Sequence, residues 1–429
     1  MFEKYDAYKD SELPSFGSVP IHWEIVPLCS ITTLKSITNV VNEELLSVYL
    51  DKGVIRFDDV TEKRTNVTSL DLSKYQLVEE GDFVLNNQQA WRGSVGVSIY
   101  RGIVSPAYLV LKLSPKVDAK FANYFFRNSA MVSQYLINSK GVGTIQRNLY
   151  WQHLKRSDVV LPPREEQIEI AEFLNQKTAE IDQAIAIKEQ QIALLNERKQ
   201  IVIQKAVTQG LNPNVPMKDS SVEWIGQIPE HWEILPLTKY STRVDYRGKT
   251  PEKVEEGRLL VTTRNIKNGI LDYEISKEYI KESQYKEVMS RGIPKKGDIL
   301  FTMEAPLGHS AVVDQEDIAI AQRIIKFRLD SERLNSYFIN YYFQTDIFQN
   351  YLYGLGTGST ALGIKASKLG LLKLIAPNLY EQEKIVAFLI TEEDKFNSAF
   401  ELLNQEISKL KEYKTTLIND AVTGKIKVA

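Results

Sequence analysis

Several short segments of the chain carry residue types that could do chemistry, and each fails at a specific position. Gly248-Lys249-Thr250 ends like a phosphate-cradling loop, in which backbone N–H groups and a lysine grip a nucleotide. Such a loop needs a glycine five residues before its second glycine, and that position is Arg243. Leu161-Pro162-Pro163-Arg164 has the paired prolines of the strip with which an adenine amino-methyltransferase holds a flipped base, but neither its polar first residue nor its aromatic last one. No G-x-G stretch sits in a strand–turn–helix setting suited to S-adenosylmethionine. No Pro-Asp dipeptide opens a nuclease carboxylate motif. The histidines at 22, 153, 231 and 309 lack metal-ligand spacing. The chain therefore reads as one that binds and does not catalyse.

Composition narrows the class further. A chain of 429 residues predicts two or three domains. Its 43% hydrophobic and 25% charged content is that of globular protein able to bury sizeable cores. No apolar run reaches membrane-span length, and the first residues carry acids where a secretory signal would be apolar. The single Cys29 excludes an internal disulfide framework, fits a reducing cytoplasm and reads as a small core residue. A net charge of −2 argues against a free-standing nucleic-acid binder, which gains affinity by displacing phosphate counterions with Lys and Arg. Any such role needs basic groups gathered on one face, or partners that supply the backbone grip.

The elements that would position a site are written twice. Pro20–Leu28 (PIHWEIVPL) matches Pro229–Leu237 (PEHWEILPL) at a spacing of 209 (231 − 22). Phe16-Gly17-x-Val19 matches Ile225-Gly226-x-Ile228 in the same register. Downstream, Glu166-Gln167 and Phe173-Leu174 match Glu381-Gln382 and Phe388-Leu389 at a spacing of 215 (382 − 167), which persists to Ala206-Val207-Thr208 and Ala421-Val422-Thr423. Similar ends around dissimilar middles predict two modules of one fold with different binding faces, a tandem duplication and not a solenoid. The repeated His22 and His231 read as part of a Trp-Pro corner, paired locally, ahead of a contact with DNA or a partner.

Each copy divides into a β-rich part and a long helix. The expected division is 1–163 and 225–378 for the two modules, 164–209 and 379–429 for the helices, and 210–224 for a linker rich in Gly, Pro, Asn and Ser. Asp82–Asn86 and Asp298–Thr302 read as strands after Gly81 and Gly297, as do Ile103–Leu113 and Ile318–Leu329. Short helices are expected at 119–138 and 332–353. The long helices follow Pro163 and Pro377. Each carries a heptad seam, through Leu174, Ile181, Ile192, Leu195 and Val202 in the first and Leu389, Phe396, Leu403, Leu410 and Leu417 in the second. A helix of this length runs roughly 60–65 Å, more than a globular domain can use for itself, so the two are expected to pair with each other. The fold class is α+β: two mixed, β-rich domains separated by two long antiparallel coiled-coil helices with pseudo-twofold symmetry.

At this point the chain resembles the specificity subunit of a type I restriction-modification system. The resemblance is carried by the twice-written P-x-H-W-E-x-x-x-L, by Gly81-Asp82 and Gly297-Asp298, and by the glycine-rich turns Gly141-Val142-Gly143-Thr144 and Gly356-Thr357-Gly358-Ser359-Thr360. It also rests on the closing block P-P-x-x-E-Q-x-x-I-x-x-x-L at Pro162–Leu174; the second copy departs by one extra residue before Glu381. The resemblance implies that each module is a target-recognition domain reading one half of a split, asymmetric DNA site. It implies that the paired helices act as a ruler for the unread gap. It also implies two methyltransferase subunits and motor-nuclease subunits as partners in a prokaryotic cytoplasm. These partners, and not this chain, would carry S-adenosylmethionine, ATP and Mg, and would methylate adenine N6 or cut.

Base edges in the major groove are read by planar amides and guanidinium groups. The dissimilar middles offer Asn87, Gln88, Gln89 and Arg92, then Thr144, Gln146, Arg147 and Asn148, in copy one. Copy two offers Thr263, Arg264, Asn265 and Lys267, then Thr357, Ser359 and Thr360. Trp91, among them, could stack or simply pack, and packing is favoured. Two other classes compete: a single-chain restriction–methylation enzyme, which needs the motifs missing above, and a coiled-coil scaffold with two protein-binding modules, which would confer no DNA preference.

Overall fold

The computed structural model describes residues 2–50, 52–59, 71–142, 146–246, 251–358 and 362–428. The chain divides into two compact units, residues 1–188 with 404–429, and residues 189–403. Each unit is built on the same four-stranded antiparallel sheet. In the first its order is Thr32–Lys35, Tyr108–Leu113, Asp82–Asn86, Val95–Val97; in the second it is Ser241–Asp245, Ile324–Leu329, Ile299–Met303, Leu307–Val312. The central strands are apolar runs, Phe83-Val84-Leu85 and Ile299-Leu300-Phe301, because both of their faces are covered. Gly81 and Gly297, each at φ 87°, close the turns that launch them, a backbone region that favours glycine. The following aspartates seal those turns: Asp82 accepts the Glu79 N–H at 2.8 Å and Asp298 accepts the Lys295 N–H at 2.8 Å. Both carboxylates are buried, and cations neutralise them, Lys35 at 2.6 Å and Arg328 at 2.7 Å.

Two stretches expected to be single strands are each split. Ile103–Leu113 becomes Gly102–Val104, paired to Gln76–Val78, and Tyr108–Leu113, in the central sheet. Pro106 has no N–H for a ladder, and the chain turns there. Ile318–Leu329 becomes Ile318–Ile320 and Ile324–Leu329, parted at Arg323, whose φ is 74°. The short helices likewise come in pairs, Ala119–Phe125 with Ser129–Ile137, and Ser336–Phe343 with Asp346–Leu355, restarted by the N-caps Asn128 and Thr345. Within the expected linker, Met217–Asp219 is a strand paired to Gln227–Pro229, as Tyr8–Asp10 pairs with Ser18–Pro20 in the first unit. The Walker-like Gly248-Lys249-Thr250 lies outside the described residues.

The repeated motifs meet in a clamp. Glu166 takes the indole N–H of fully buried Trp23 at 3.0 Å and the ring of His22 at 2.8 Å, and Glu381 takes Trp232 at 3.2 Å and His231 at 2.8 Å. The histidines are thus paired, but not locally: the partner carboxylate stands 144 or 150 residues downstream. In the first unit the Tyr5 hydroxyl adds a third bond to Glu166, and burial together with that carboxylate holds its pKa well above the usual tyrosine value. The adjacent glutamines finish the joint. Gln167 accepts the Asp118 N–H at 2.8 Å and donates to the Pro162 carbonyl at 2.9 Å; Gln382 does the same with Asn335 at 2.8 Å and Pro377 at 2.8 Å. Each carboxamide, buried in the module, ties a helix cap to the proline turn that opens the long helix.

The long helices are Arg164–Gln209 and Leu379–Val422. Their pairing is antiparallel: in the first unit Asp182 bonds Lys414 at 2.6 Å and Lys188 bonds Glu406 at 2.5 Å, so rising numbers on one helix meet falling numbers on the other. In the second unit Lys199 bonds Glu393 at 2.9 Å. Of the residues expected in the seam, Leu174, Ile181, Leu389, Phe396 and Leu417 are buried, Leu389 within the core of the second module, and Ile192, Leu195, Val202, Leu403 and Leu410 are half-buried. The helices end on glycines that seat against the clamp tryptophans. A Cβ on Gly210 (φ 78°) would stand 3.4 Å from Trp232, and one on Gly424 (φ 72°) would stand 2.4 Å from Pro20 and 3.1 Å from Trp23.

The clamp generates a stability prediction. Glu381→Ala leaves the buried Trp232 N–H without an acceptor and is expected to cost about 2–3 kcal/mol. Glu381→Gln, which keeps an acceptor, should cost less, and His231→Ala less than about 1 kcal/mol because that ring is half exposed. Urea denaturation of the full chain checks the order; equal midpoints for Glu381→Ala and the parent would remove the clamp from the stability of the unit.

Candidate nucleic-acid interface

In the first module the candidate residues are built onto the end of the central strand. The Asn86 side chain accepts the Gln88 N–H at 3.1 Å, turning the chain out of the sheet. A single helical turn, Ala90–Arg92, follows, pinned by buried Ala90 and closed by Gly93 at φ 98°. The Trp91 indole donates to the Gln88 carbonyl at 3.0 Å, which fixes the ring. Over that ring lie two guanidinium groups, Arg92 at 4.7 Å and Arg147 at 5.7 Å from its centroid. Arg147 comes from the hairpin Ser139–Val142/Gln146–Leu149, whose Leu149 N–H donates to the Asn87 carbonyl at 2.9 Å.

The structure therefore brings the two candidate groups of copy one together. Gln88, Arg92 and Asn148 are exposed and Gln89 and Arg147 half-buried, while Asn87 turns its side-chain oxygen into the protein, buried without a hydrogen-bond partner. Gln146 is a hairpin strand residue paired with Val142, and Thr144 lies outside the described residues. Trp91, read as a packing residue, is half-buried and does more than pack, since it carries both arginines. Beside them opens a cleft of about 450 Å³, lined by Gln88, Gln89 and Arg92 together with Tyr49, Tyr75 and Tyr108. Those tyrosines were not singled out from sequence; Tyr49 and Tyr108 sit in strands, where an aromatic reads as core.

The second module is built differently on the same frame. The Met303 carbonyl accepts the Ile364 N–H at 3.0 Å, the counterpart of Asn87 and Leu149, so Gln88 corresponds to Glu304 and Arg147 to Leu362. The stretch after the central strand continues as strand here, Met303 pairing with Leu307 across Glu304-Ala305-Pro306, and holds no tryptophan or arginine. Arg264 and Lys267 are exposed and Thr263 is half-buried, its hydroxyl donating to the Ala305 carbonyl at 3.3 Å. Exposed Thr357 exchanges two backbone bonds with Gly363 at 2.8 and 3.1 Å, and Gly363 bridges to Glu304. The turn at Glu304–Pro306 thus joins the two candidate groups of this copy; Ser359 and Thr360 lie outside the described residues.

Asn265 is a correction. It is fully buried, accepts from the Thr262 N–H (2.9 Å) and hydroxyl (3.0 Å), and donates to the Asp272 and Ser276 carbonyls (2.9 Å each). Its amide is spent on the turn that presents Arg264 and has nothing left for a base. Arg323 and Lys365, both exposed beside Glu304 and Thr357 in a cleft of about 250 Å³, were missed. They lie 42 residues apart (365 − 323) in the chain, and only the fold gathers them. Among the described residues, no three His, Cys, Asp or Glu side chains are placed to hold a metal ion. No described helix is long and apolar enough to cross a membrane.

Two like frames, each presenting a different polar face, match one kind of protein when set against known families. The model of the type I restriction modification DNA specificity domain matches residues 20–197 and 246–412. The chain belongs to that family. It is similar to the type I restriction enzyme MjaVIII specificity subunit of Methanocaldococcus jannaschii, at 25% identity over 96% of this chain and 94% of that protein. It is also similar to the EcoKI specificity subunit of Escherichia coli K12, at 22% over 91% and 88%. Its fold is shared with a chain solved in work on complex assembly and conformational transition of the type I R-M system (TM-score 0.67, 15% identity, 94% and 98% covered). The HsdS subunit of Thermoanaerobacter tengcongensis shares it too (0.53, 16%, 95% and 98%). As a type I specificity subunit, the chain recognises DNA sequence.

Burial separates two neighbours in this specificity subunit. Arg264→Ala should lower DNA affinity by about 1–3 kcal/mol and relax one base position if the residue reads a guanine, or weaken all sequences alike if it meets a phosphate. Asn265→Ala should instead cost about 3 kcal/mol of stability, since buried donors and acceptors lose their partner. Binding titrations beside denaturation curves check the pair; an Asn265→Ala protein as stable as the parent would return Asn265 to the interface.

Proposed function

We propose that each module reads one half of a bipartite, asymmetric DNA site and that the paired helices set the unread gap between the halves. The chain then directs N6-adenine methylation, or restriction, by partner subunits. Those partners are two methyltransferase subunits and motor-nuclease subunits, which carry S-adenosylmethionine, ATP and Mg, and the assembly works in a prokaryotic cytoplasm. The observation that carries this reading is the contrast within the duplication. Sheet order, the Trp–His–Glu clamp and an apolar helix seam recur, while the segments after the central strand and in the hairpin change from amide and arginine to Glu304 and Leu362. A frame kept while its polar face varies is the pattern of a reader given two different words.

The chain itself does no chemistry in this reading, in keeping with the methyltransferase, nucleotide-binding and nuclease motifs that fail at named positions. The near-neutral net charge fits too, because partners can supply phosphate contacts. A coiled-coil scaffold with two protein-binding modules is the alternative, and a gel shift with the methyltransferase subunits separates them, since a scaffold confers no sequence preference.

Exchanging residues 15–160 for the matching part of a related subunit is expected to change one half of the methylated-adenine motif in host DNA and leave the other intact. If both halves change, or neither does, the modules are not independent readers. The purified chain alone should transfer no methyl group from S-adenosylmethionine; measurable transfer by it would end the non-catalytic reading.

A further inference from the structure

We propose that the first module reads a guanine·cytosine pair with a guanidinium fork from the Arg92–Arg147 pair, and that Trp91 is the positioning residue holding both groups ready for it. The inference rests on the module being a DNA reader and names what it reads.

Three observations carry it. Arg92 and Arg147 arrive from different elements, the turn after the central strand and the hairpin, yet both lie within 6 Å of one indole ring. The ring is itself locked by its N–H bond to the Gln88 carbonyl. Second, neither arginine has a carboxylate within ion-pair distance among the described residues. Arg258 in the other module shows the satisfied alternative: it too stacks on a ring, Tyr285 at 4.0 Å, but Glu282 at 2.6 Å and Asp317 at 3.2 Å neutralise it. Two like charges gathered on one ring without a counter-charge repel, a cost that electron-rich acceptors would offset. A guanidinium held over a ring face keeps its N–H donors for other partners, and the O6 and N7 of guanine are the acceptor pair that such a fork meets in the major groove.

Third, the duplication supplies an internal control that separates base from phosphate. Phosphate contacts are indifferent to sequence, so a grip on the backbone should persist between two copies of one frame. This cluster does not persist. The equivalent positions are Glu304 for Gln88 and Leu362 for Arg147, and no tryptophan or arginine follows Met303 before His309. The arginines belong to what differs between the readers, and the amides of Gln88 and Gln89 line the same cleft as Arg92.

The test uses the full chain with its methyltransferase subunits in cells, reading the methylated-adenine motif from genomic DNA. The half-site changed by exchanging module one should contain a G·C pair. Arg147→Lys and Arg92→Lys keep charge but lose the fork; at least one should make that pair degenerate, with roughly a tenfold loss of preference for guanine, while the other half-site stays intact. Trp91→Leu, which keeps both arginines, should relax the same pair by a smaller factor. Methylation falling evenly at every position marks a phosphate grip and overturns the proposal. So does full guanine preference in both lysine variants, or a half-site without a G·C pair. An exchange that altered neither half-site would instead overturn the module's role as a DNA reader, so the two failures are distinct.

Discussion

A single half-buried carboxylate per module ties the start of the long helix to the strand that opens the module. Glu166 and Glu381 stand in the first turn of the long helices, and each reaches back to the tryptophan that opens its module. An indole N–H sealed in a core must find an acceptor, and an acceptor that is charged must find donors. The tryptophan, the histidine and the helix start therefore specify one another. The neighbouring Gln167 and Gln382 extend the joint to the caps of the short helices. What the joint fixes is the direction in which a long helix leaves its module. The Asp182–Lys414 and Lys188–Glu406 pairs then fix the register of the antiparallel partner. Charged pairs in an apolar seam add little stability but exclude slipped alternatives, which is how polar seam positions act in coiled coils.

Much of this frame was legible because the chain states it twice. Duplicated HWE and EQ motifs must serve whatever the copies share, and the fold is what they share. The central strands could be read from Gly81-Asp82 and Gly297-Asp298, since a positive φ and a turn-capping carboxylate are local requirements. The clamp itself was not legible. Nothing local to His22 says that its partner is Glu166, because that contact is made by the closure of the whole module. The breaks inside Ile103–Leu113 and Ile318–Leu329 were missed for the same reason: an apolar run does not say which sheet each half joins, and at Arg323 no proline marks the turn.

The site was legible by residue type and not by direction. Asn265 and Arg264 are adjacent and both suit a base edge, yet one amide is consumed by four hydrogen bonds inside the turn and the other side chain is left outside it. Trp91 had two readings, stacking or packing, and it serves both: its ring is fixed by the Gln88 carbonyl, and it gathers two arginines from different elements. Arg323 and Lys365 carried no signal at all, since only the folded turn at Glu304–Pro306 places them beside Thr357.

Stability and specificity are thereby separated in space and in chemistry. The clamp and sheet satisfy their polar groups: Asp82 with Lys35, Asp298 with Arg328, Glu381 with Trp232. The candidate face of the first module leaves capacity unmet, with two guanidinium groups on Trp91 that have no carboxylate partner among the described residues. Unmet hydrogen-bonding capacity is a liability in a core and a resource at an interface, because a partner that supplies the missing acceptors or donors gains what a wrong partner forfeits. The duplicated frame tolerates such faces because its backbone link does not depend on them: the bond from Leu149 to Asn87 recurs as Ile364 to Met303, with Glu304 in place of Gln88 and Leu362 in place of Arg147. Because the link runs through main-chain atoms, substitution on the reading face leaves it unbroken. One fold can therefore carry two different readers in a single chain.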